Sequence, residues 1–437
     1  MSGGAERGPD SASTSLESSA VPRILLVTFG SLGDLHPYLA LGRELLRRGH
    51  RPTIGSTPHY RAQVESEGLG FVPVRPDIDP NDRRLLERVM NPRTGSRTIL
   101  LEFALGQLRE SYEDLRDATR EAELLVTHPI AYSAILLARA SGRPWASVAL
   151  APVSLFSTLD APAFPGLPFA ERIAGFPPRF HRFFYTLLDL SFRPWLRPYR
   201  RLEAELGLPR GPNPVLPSHP SPYLHLALFS KVLAAPQADW PPHTLASGFP
   251  FYAHDAEPAP ELERYLASGE PPVVFTLGSA AVGHAGDFYE RSLDAVLQLG
   301  VRAVLLIGRD GANLPRRALP ESVIALPYAP HASVFPRAQA IVHQGGIGTT
   351  AEAMRSGRPM LVVPYSHDQP DHARRLRRLG VARSLPRERY TTARCVAELG
   401  ALLREPGYAA RAASMAAAVQ GEDGVKTACD ALERLLA

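Results

Sequence analysis

Short apolar runs alternate with amphipathic helical patterns along most of the chain, and this alternation constrains the fold more than any other feature. The runs form two series, at 23–29, 51–56, 71–74, 124–127 and 145–149, and again at 273–277, 303–307, 323–326, 340–342 and 361–363. Strands that alternate with helices form parallel sheets, because each crossover needs room for a helix. A chain of 437 residues is too long for one core, so the pattern predicts two doubly wound α/β domains.

Composition suggests where these domains begin and end. Residues 1–20 combine Ser, Gly and acidic residues without an apolar stretch, which predicts a disordered tail. Segment 249–260 is rich in Pro, Ala and acidic residues and is the predicted hinge. We therefore expect an N-terminal domain over residues 21–250 and a C-terminal domain over 251–437, which ends in a helical stretch from residue 391 onward.

The overall charge excludes little, but its distribution argues against nucleic acid as a partner. Lys231 and Lys426 are the only lysines among 48 basic residues, so the net charge of +4 comes from arginines scattered along the chain. No apolar run approaches the ~18 residues of a membrane-spanning helix. The two cysteines, Cys395 and Cys429, show neither zinc nor disulfide spacing, which favours a reducing cytoplasm.

A glycine-rich turn follows the strand at 339–342. The run from His343 to Glu352 reads His-Gln-Gly-Gly-Ile-Gly-Thr-Thr-Ala-Glu, and a helix is predicted from Thr349 to Ser356. The three glycines of this turn, which lack side chains, let an anion approach the backbone at a helix N-terminus, where the dipole is equivalent to roughly +0.5 charge; they are Gly345, Gly346 and Gly348. A diphosphate is the expected ligand.

A second polar loop follows the next predicted strand, at 360–363. It contains Asp368 and Gln369, which offer acceptors and a donor for sugar hydroxyl groups. Open parallel sheets bind ligands at the carboxyl ends of their strands, so this loop and the glycine-rich turn are expected to be neighbours.

The order of these motifs resembles the nucleotide-sugar signature of the GT-B glycosyltransferases of family 1, the UDP-glycosyltransferase superfamily. The likeness extends from Pro22 onward and includes a bacterial branch similar to sterol glucosyltransferases. The later half also resembles the rhamnosyltransferases of rhamnolipid assembly through Asp239-Trp-Pro, Gly248-Phe-Pro and Asp287-Phe-Tyr. The resemblance implies two Rossmann-like domains that face each other across a cleft, with the donor on the second.

The resemblance also implies roles for individual donor-site residues. The element Tyr328-Ala-Pro330-His331 looks like the Trp-Ala-Pro-Gln element of related enzymes, whose ring stacks on the base. Glu352 would accept the ribose hydroxyls, and Asp368 with Gln369 would hold the hexose. The diphosphate would meet the glycines together with Ser279 and His343, and Thr349 is a further donor-binding candidate. His343 would act as a cation or hydrogen-bond donor, and no obligatory metal or cofactor is expected beyond a UDP- or dTDP-sugar donor.

The loop predicted at 30–36 faces the same cleft from the first domain, before a helix predicted at 37–48. Gly30 and Gly33 lack the third glycine of a dinucleotide fingerprint, and Asp34 would repel a pyrophosphate. The family's catalytic base is histidine in many members and aspartate in the branch with Gly-Asp-x-x-Pro, so the resemblance assigns that role to Asp34. His36 and His128 are further candidates beside the acceptor, and either could instead cap a loop.

The acceptor site is predicted only in outline. An apolar stretch at 151–169 precedes an aromatic stretch at 176–199, in which Phe183 and Phe184 are candidate acceptor contacts. Three uses remain open: ordinary helix packing, a lipophilic acceptor tunnel, or peripheral docking at the inner face of a membrane.

Together these features predict an inverting glycosyltransferase that transfers a hexose to a hydroxyl group of a hydrophobic acceptor such as a lipid, sterol or polyketide. Two alternatives are a catalytically silent nucleotide-sugar-binding protein and a Rossmann oxidoreductase. The sequence distinguishes neither UDP from dTDP nor glucose from rhamnose.

Overall fold

The computed structural model describes residues 21–79, 82–167, 169–216, 220–252, 257–309 and 311–436. The predicted tail at 1–20 and residues 253–256 of the predicted hinge lie outside these ranges.

The first half of the chain forms a seven-stranded parallel sheet in the order β3-β2-β1-β4-β5-β6-β7. Its strands are β1 (Arg23–Val27), β2 (Arg51–Ser56), β3 (Gly70–Pro73), β4 (Leu124–Thr127), β5 (Trp145–Ala149), β6 (Leu224–Ala227) and β7 (Thr244–Ala246). The sequence predicts the first five of them. The last two escape it because they are only four and three residues long and follow a stretch rich in proline.

The second half forms a six-stranded parallel sheet in the order β10-β9-β8-β11-β12-β13. Its strands are β8 (Val273–Thr276), β9 (Ala303–Leu306), β10 (Val323–Leu326), β11 (Ala340–His343), β12 (Met360–Val362) and β13 (Ala382–Ser384). Two Rossmann-like parallel sheets confirm the predicted fold class. The edge strand β13 is the one that the sequence pattern misses.

Helices cover both faces of each sheet. They are α1 (Leu32–Arg47), α2 (Arg61–Ser66), α3 (Arg83–Val89), α4 (Gly95–Thr98), α5 (Leu108–Glu121), α6 (Tyr132–Ser141), α7 (Ala170–Ala174), α8 (Pro178–Phe192), α9 (Arg197–Glu205), α10 (Pro260–Ala267), α11 (Gly278–Ala281), α12 (Phe288–Leu299), α13 (His331–Val334), α14 (Ile347–Ser356), α15 (Gln369–Arg378), α16 (Thr392–Arg404), α17 (Pro406–Gln420) and α18 (Gly424–Glu433). Within the described ranges, no helix is both long and apolar enough to cross a membrane.

Helix α1 begins earlier than the sequence pattern predicts. The predicted loop at 30–36 is wrong, because Ser31 and Asp34 form a capping box that starts the helix at Leu32. Pro37 lies inside the helix without ending it. Asp34 therefore sits in a rigid first turn rather than in a loop. Helix α14 likewise begins at Ile347, two residues before its predicted start.

Each sheet reverses its strand order beside its first strand, between β1 and β4 and between β8 and β11. Open parallel sheets bind ligands in the crevice outside such a switch point. The residues that follow these four strands include Asp34, His128, Ser279 and Gly345, so the fold brings the candidate residues of each half to one crevice.

The two halves also share packing. Helix α18, the last of the chain, buries Cys429 and Leu432 in the same apolar cluster as Ile24 of β1 and Leu41 of α1. Arg48, at the end of α1, bonds Asp430 at 2.7 Å and Glu433 at 2.6 Å. Helix α18 therefore packs against α1 and connects the first half of the chain with the second.

Candidate functional site

Asp34 and His128 form a hydrogen-bonded pair at the switch point of the first sheet. Asp34 Oδ1 lies 3.3 Å from His128 Nε2, and its Oδ2 accepts the Ser31 backbone N–H at 2.7 Å. The backbone N–H of Ile130 approaches His128 Nδ1 at 3.4 Å, so Nδ1 accepts and Nε2 carries the proton that is donated to Asp34. His128 is buried, whereas about a third of the Asp34 side chain stays exposed.

The turn before Asp34 requires glycine. Gly30 has φ +131°, and a Cβ added there would lie 2.2 Å from Asp34 Oδ2. The hydroxyl of Tyr60 donates to the Gly30 carbonyl at 3.2 Å. Burial, reinforced by the Asp34 charge, raises the pKa of Tyr38 and Tyr60, so both phenols stay protonated beside the carboxylate.

The glycine-rich turn forms the N-terminus of α14 as predicted. Gly346 is the N-cap residue, so its N–H and those of the next three residues lack carbonyl partners within the helix. Gly345 has φ +89°, and a Cβ there would lie 2.9 Å from Val362 Cγ1. A Cβ at Gly348 would lie 3.9 Å from Gly33 Cα, so this turn faces the first turn of α1 across the cleft.

His343 is fully buried at the end of β11. Its Nδ1 accepts the Gly345 N–H at 3.1 Å, which leaves the proton on Nε2. Nε2 has no hydrogen-bond partner among the described residues. Burial, with smaller contributions from His331 and His372, lowers the pKa of His343 to about 3. The ring is therefore neutral at physiological pH and offers its Nε2–H as a hydrogen-bond donor.

Asp368 and Gln369 lie at the start of α15. Gln369 is buried, and its Oε1 accepts the backbone N–H groups of Tyr365 at 2.8 Å and Ser366 at 3.1 Å, so this oxygen shapes the loop. Asp368 is partly exposed. Burial raises the pKa of Asp368, the imidazoles of His372 and His367 oppose that shift, and the Asp34 carboxylate adds to it. The two carboxylates thus lie within electrostatic range across the cleft.

The expected nucleoside residues lie beside α14. Tyr328 is 53% exposed, which leaves a ring face accessible. His331 follows Pro330, the N-cap residue of α13, and stacks on Phe335 at 4.4 Å. Glu352 Oε2 bonds Arg355 at 2.6 Å. Burial raises the pKa of Glu352 and Arg355 opposes that shift.

The three remaining candidates, Ser279, Thr349 and His36, lie in different environments. Ser279 is exposed in the short helix after β8, and Thr349 is buried in the first turn of α14. A Cβ at Gly278 would lie 3.1 Å from Thr349 Oγ1, so the two loops touch. His36, on α1, lies 4.8 Å from the Tyr252 ring, and its charge contributes to lowering the pKa of His331 to about 4, after burial.

Phe183 and Phe184 point to different environments. Phe183 is 62% exposed, whereas Phe184 packs against Phe164 at 6.0 Å and stacks on Phe180 at 6.2 Å. The two side chains therefore lie in different surroundings, and their joint assignment to the acceptor stays a prediction.

The two halves are joined by a polar cluster that the sequence pattern did not predict, here called the clamp. It consists of Asp160, Asp371 and Arg375. Asp371 of α15 is fully buried, where its Oδ1 accepts the Ala163 N–H at 3.0 Å and its Oδ2 bonds Arg375 Nε at 2.7 Å. Arg375 also bonds Asp160. Asp239, of the Asp-Trp-Pro motif, accepts from Ser157 Oγ at 2.7 Å in the same segment. Segment 157–163 is thereby fixed beside the sugar loop.

The described ranges contain no group of three or more His, Cys, Asp or Glu side chains arranged to hold an ion. The N–H groups at the start of α14 and the His343 Nε2–H are hydrogen-bond donors at this end of the second sheet.

Two family models match the chain. Residues 24–141 match the N-terminal domain of glycosyltransferase family 28, and residues 290–430 match the C-terminal domain of erythromycin biosynthesis protein CIII-like proteins. The matched segments include Asp34, His128 and the residues from Tyr328 to Gln369.

Curated relatives are glycosyltransferases. The chain is 33% identical over 423 residues to an O-mycaminosyltylonolide 6-deoxyallosyltransferase of Streptomyces fradiae, with 94% of this chain and 97% of the relative covered. It is 28% identical over 382 residues to a sterol 3-beta-glucosyltransferase of Leptosphaeria maculans, and the match covers 82% of this chain but only 25% of that longer relative.

Solved structures share the fold over almost the whole chain. The glycotransferase of kitacinnamycin superposes with a TM-score of 0.73 at 25% identity, with coverage of 95% of this chain and 100% of the other. A spinosyn rhamnosyltransferase complexed with thymidine diphosphate has a TM-score of 0.64 at 21% identity, with 92% and 98% covered.

Proposed function

The chain belongs to the GT-B glycosyltransferases, and on that premise we propose that it transfers a hexose from a UDP- or dTDP-sugar to a hydroxyl group of a hydrophobic acceptor, with inversion at the anomeric carbon. The observation that carries this proposal is the pairing of Asp34 with His128 opposite the N-terminus of α14. A base on one side of the cleft and an anion site on the other are what a single displacement needs.

In this mechanism Asp34 takes the proton of the acceptor hydroxyl, and the oxygen attacks the anomeric carbon. The bond from that carbon to the diphosphate oxygen breaks, and the nucleoside diphosphate leaves with the electron pair. His128 holds the Asp34 carboxylate in place through its Nε2–H. The free N–H groups at the start of α14 and the His343 Nε2–H would stabilise the negative charge on the departing diphosphate.

The donor roles proposed for Tyr328, Glu352, Asp368 and Gln369 rest on their positions around the same crevice. Asp368 and Gln369 would orient the hexose, with the Gln369 amide nitrogen as the group left for a hydroxyl, since its oxygen holds the loop. Such positioning can contribute more to the rate than proton transfer does.

The acceptor is proposed to be a polyketide or a sterol-like molecule. Support comes from the names of the relatives, which specify O-mycaminosyltylonolide and sterol acceptors. Both imply an apolar surface beside the reacting hydroxyl, and the aromatic cluster that includes Phe164, Phe180 and Phe184 offers one next to the clamped segment. The silent binding protein and the oxidoreductase are not favoured, because the relatives are transferases.

A thermal-shift panel of UDP, dTDP, GDP and NAD tests the donor class. We expect UDP or dTDP to raise the melting temperature and NAD to leave it unchanged. With the better nucleotide's sugar and candidate acceptors, NMR of the product gives the anomeric configuration. Inversion supports the single displacement, and retention would refute it.

Peripheral contact with a lipid surface is proposed through the exposed apolar side chains of α8 and through Phe169 and Phe176, which precede it. On α8, Phe183, Leu187 and Leu190 are exposed at i, i+4 and i+7, a spacing that places them on one face of the helix. Exposed arginines flank this face, among them Arg179 and Arg182, and would favour anionic lipids.

Co-sedimentation with anionic vesicles tests this contact. The double variant Phe183→Ser with Leu187→Ser should reduce binding, whereas Leu314→Ser, which alters a side chain 52% exposed in the second half, should not. No vesicle binding by the unaltered protein, or an equal loss in both variants, would dismiss the contact.

A further inference from the structure

His372 is a buried histidine that the mechanism above does not use. It lies on α15, is fully buried, and its Nδ1 is 2.7 Å from the Gly345 carbonyl oxygen. A carbonyl oxygen only accepts, so Nδ1 carries the proton and donates it. The same nitrogen is 3.6 Å from Asp368 Oδ2. His372 therefore connects the glycine-rich turn with the loop of Asp368.

Gly345 is held by two imidazoles in opposite ways. His343 Nδ1 accepts its N–H at 3.1 Å, and His372 Nδ1–H donates to its carbonyl at 2.7 Å. Both polar groups of this residue are thus fixed by side chains rather than by secondary structure. A glycine can adopt several backbone conformations, and these two hydrogen bonds stabilise the one with φ +89°.

The bond from His372 determines where the next amide points. The Gly345 carbonyl and the Gly346 N–H belong to one planar trans peptide, so they point in opposite directions. His372 lies on the buried side of the turn, and the carbonyl is directed toward it. The Gly346 N–H, which has no carbonyl partner within the helix, is therefore directed away from the core.

Building on the proposed function, we propose that His372 is a positioning residue that holds the Gly345–Gly346 peptide with its N–H toward the donor diphosphate. If the peptide flips, the carbonyl oxygen replaces the N–H and repels the diphosphate instead of binding it. Because the same ring also lies beside Asp368, it fixes the position of the glycine-rich turn relative to the loop that contains Asp368.

Substitutions that move one donor atom test this role. Asn places its amide nitrogen near the position of Nδ1, whereas Gln places it near Nε2, so His372→Asn keeps the bond to Gly345 and His372→Gln loses it. By calorimetric titration with dTDP and UDP, we expect His372→Gln to bind the preferred nucleotide about tenfold or more weakly, and His372→Asn to stay within about threefold of the unaltered protein. Circular dichroism and thermal melting monitor the fold of each variant.

A second pair of variants removes the amide hydrogen itself and leaves His372 in place. Gly346 has φ −62°, which suits proline, and a Cβ there meets only the flexible Gln344 side chain at 2.8 Å. Gly346→Pro loses the N–H, whereas Gly346→Ala introduces the same Cβ but keeps the N–H. We expect the proline variant alone to lose nucleotide affinity. When His372→Gln is combined with Gly346→Pro, it should weaken nucleotide binding by less than about a further twofold, because both changes remove the same interaction.

The outcomes separate the inference from the proposed function. If the unaltered protein binds neither dTDP nor UDP, the proposed function fails and the inference fails with it. If it binds one of them and His372→Asn and His372→Gln are equally weak or equally unaffected, only the inference is refuted. Additive losses from Gly346→Pro and His372→Gln would refute it as well, because His372 would then act by another route.

Discussion

His128 Nε2 donates a hydrogen bond to Asp34 Oδ1 over 3.3 Å, although the two residues are 94 positions apart in the chain. Asp34 lies in the helix that follows β1 and His128 directly follows β4, and these two strands are adjacent in the first sheet because the strand order reverses between them. The pair is therefore a direct product of the topology, and it gives the carboxylate a fixed orientation toward the cleft.

Replacement of Asp34 by Asn tests the proposed base. The amide keeps the size of the side chain but accepts no proton, so turnover should fall by about 10² to 10⁴-fold. Nucleotide affinity should be unchanged, because the donor contacts lie on the other half. Steady-state rates and calorimetric titration measure the two quantities, and a variant that retains turnover would remove Asp34 from the mechanism.

Two replacements of His128 distinguish its hydrogen bond from its bulk. Gln places a donor near the position of Nε2, whereas Phe fills the space without one. His128→Phe should lower turnover about tenfold or more, and His128→Gln should recover most of it. The donor KM should change in neither variant. Equal rates for the two variants would show that the bond to Asp34 is not what matters.

A buried histidine outside the site, His225, should make the stability of the protein depend on pH. Burial lowers the pKa of His225 to about 4, and its Nδ1 lies 2.6 Å from Ser147 Oγ. The unfolded chain takes up this proton near pH ~6.5 while the folded protein does not, so stability is full above that pH and falls by up to about 1.4 kcal/mol per pH unit below it.

His225→Asn removes the titrating ring and leaves an oxygen near the position of Nδ1. Urea unfolding between pH 4.5 and 7.5 should show a shallower loss of stability in this variant than in the unaltered protein. Parallel curves for the two proteins would contradict the assignment.

The clamp between the halves should stabilise the fold. Asp371→Asn keeps an acceptor for the Ala163 N–H but removes the charge that faces buried Arg375, and the expected cost is about 3 kcal/mol. The exposed pair of Glu171 and Arg377 is the control, since Glu171→Gln should cost less than about 1 kcal/mol. Denaturant unfolding measures both, and similar small losses would show that the clamp is not a stabilising element.

Local sequence patterns predicted the strands of both sheets except β6, β7 and β13, and the glycine-rich turn was placed within two residues. Those features follow from apolar runs and from glycine, which are local properties. The start of α1 was missed although Ser31 and Asp34 form a capping box, because the proline at 37 suggested a helix start. That signal was present in the sequence.

Tertiary contacts were beyond prediction. Nothing in the spacing around His372 indicates that it bonds the Gly345 carbonyl, since the contact depends on how α15 packs against the turn. The same holds for the Asp160–Arg375 bond, which joins residues 215 positions apart. The position of α18 against α1 likewise depends on a chain path that no local pattern encodes.

The central claim is that the diphosphate of an activated sugar binds at the N-terminus of α14 and faces Asp34. A crystal structure of the protein with its preferred nucleoside diphosphate tests this claim most directly. We predict phosphate oxygens within hydrogen-bond distance of the N–H groups of residues 346–349 and of His343 Nε2. A diphosphate bound at any other surface, with these groups left without it, would contradict the account.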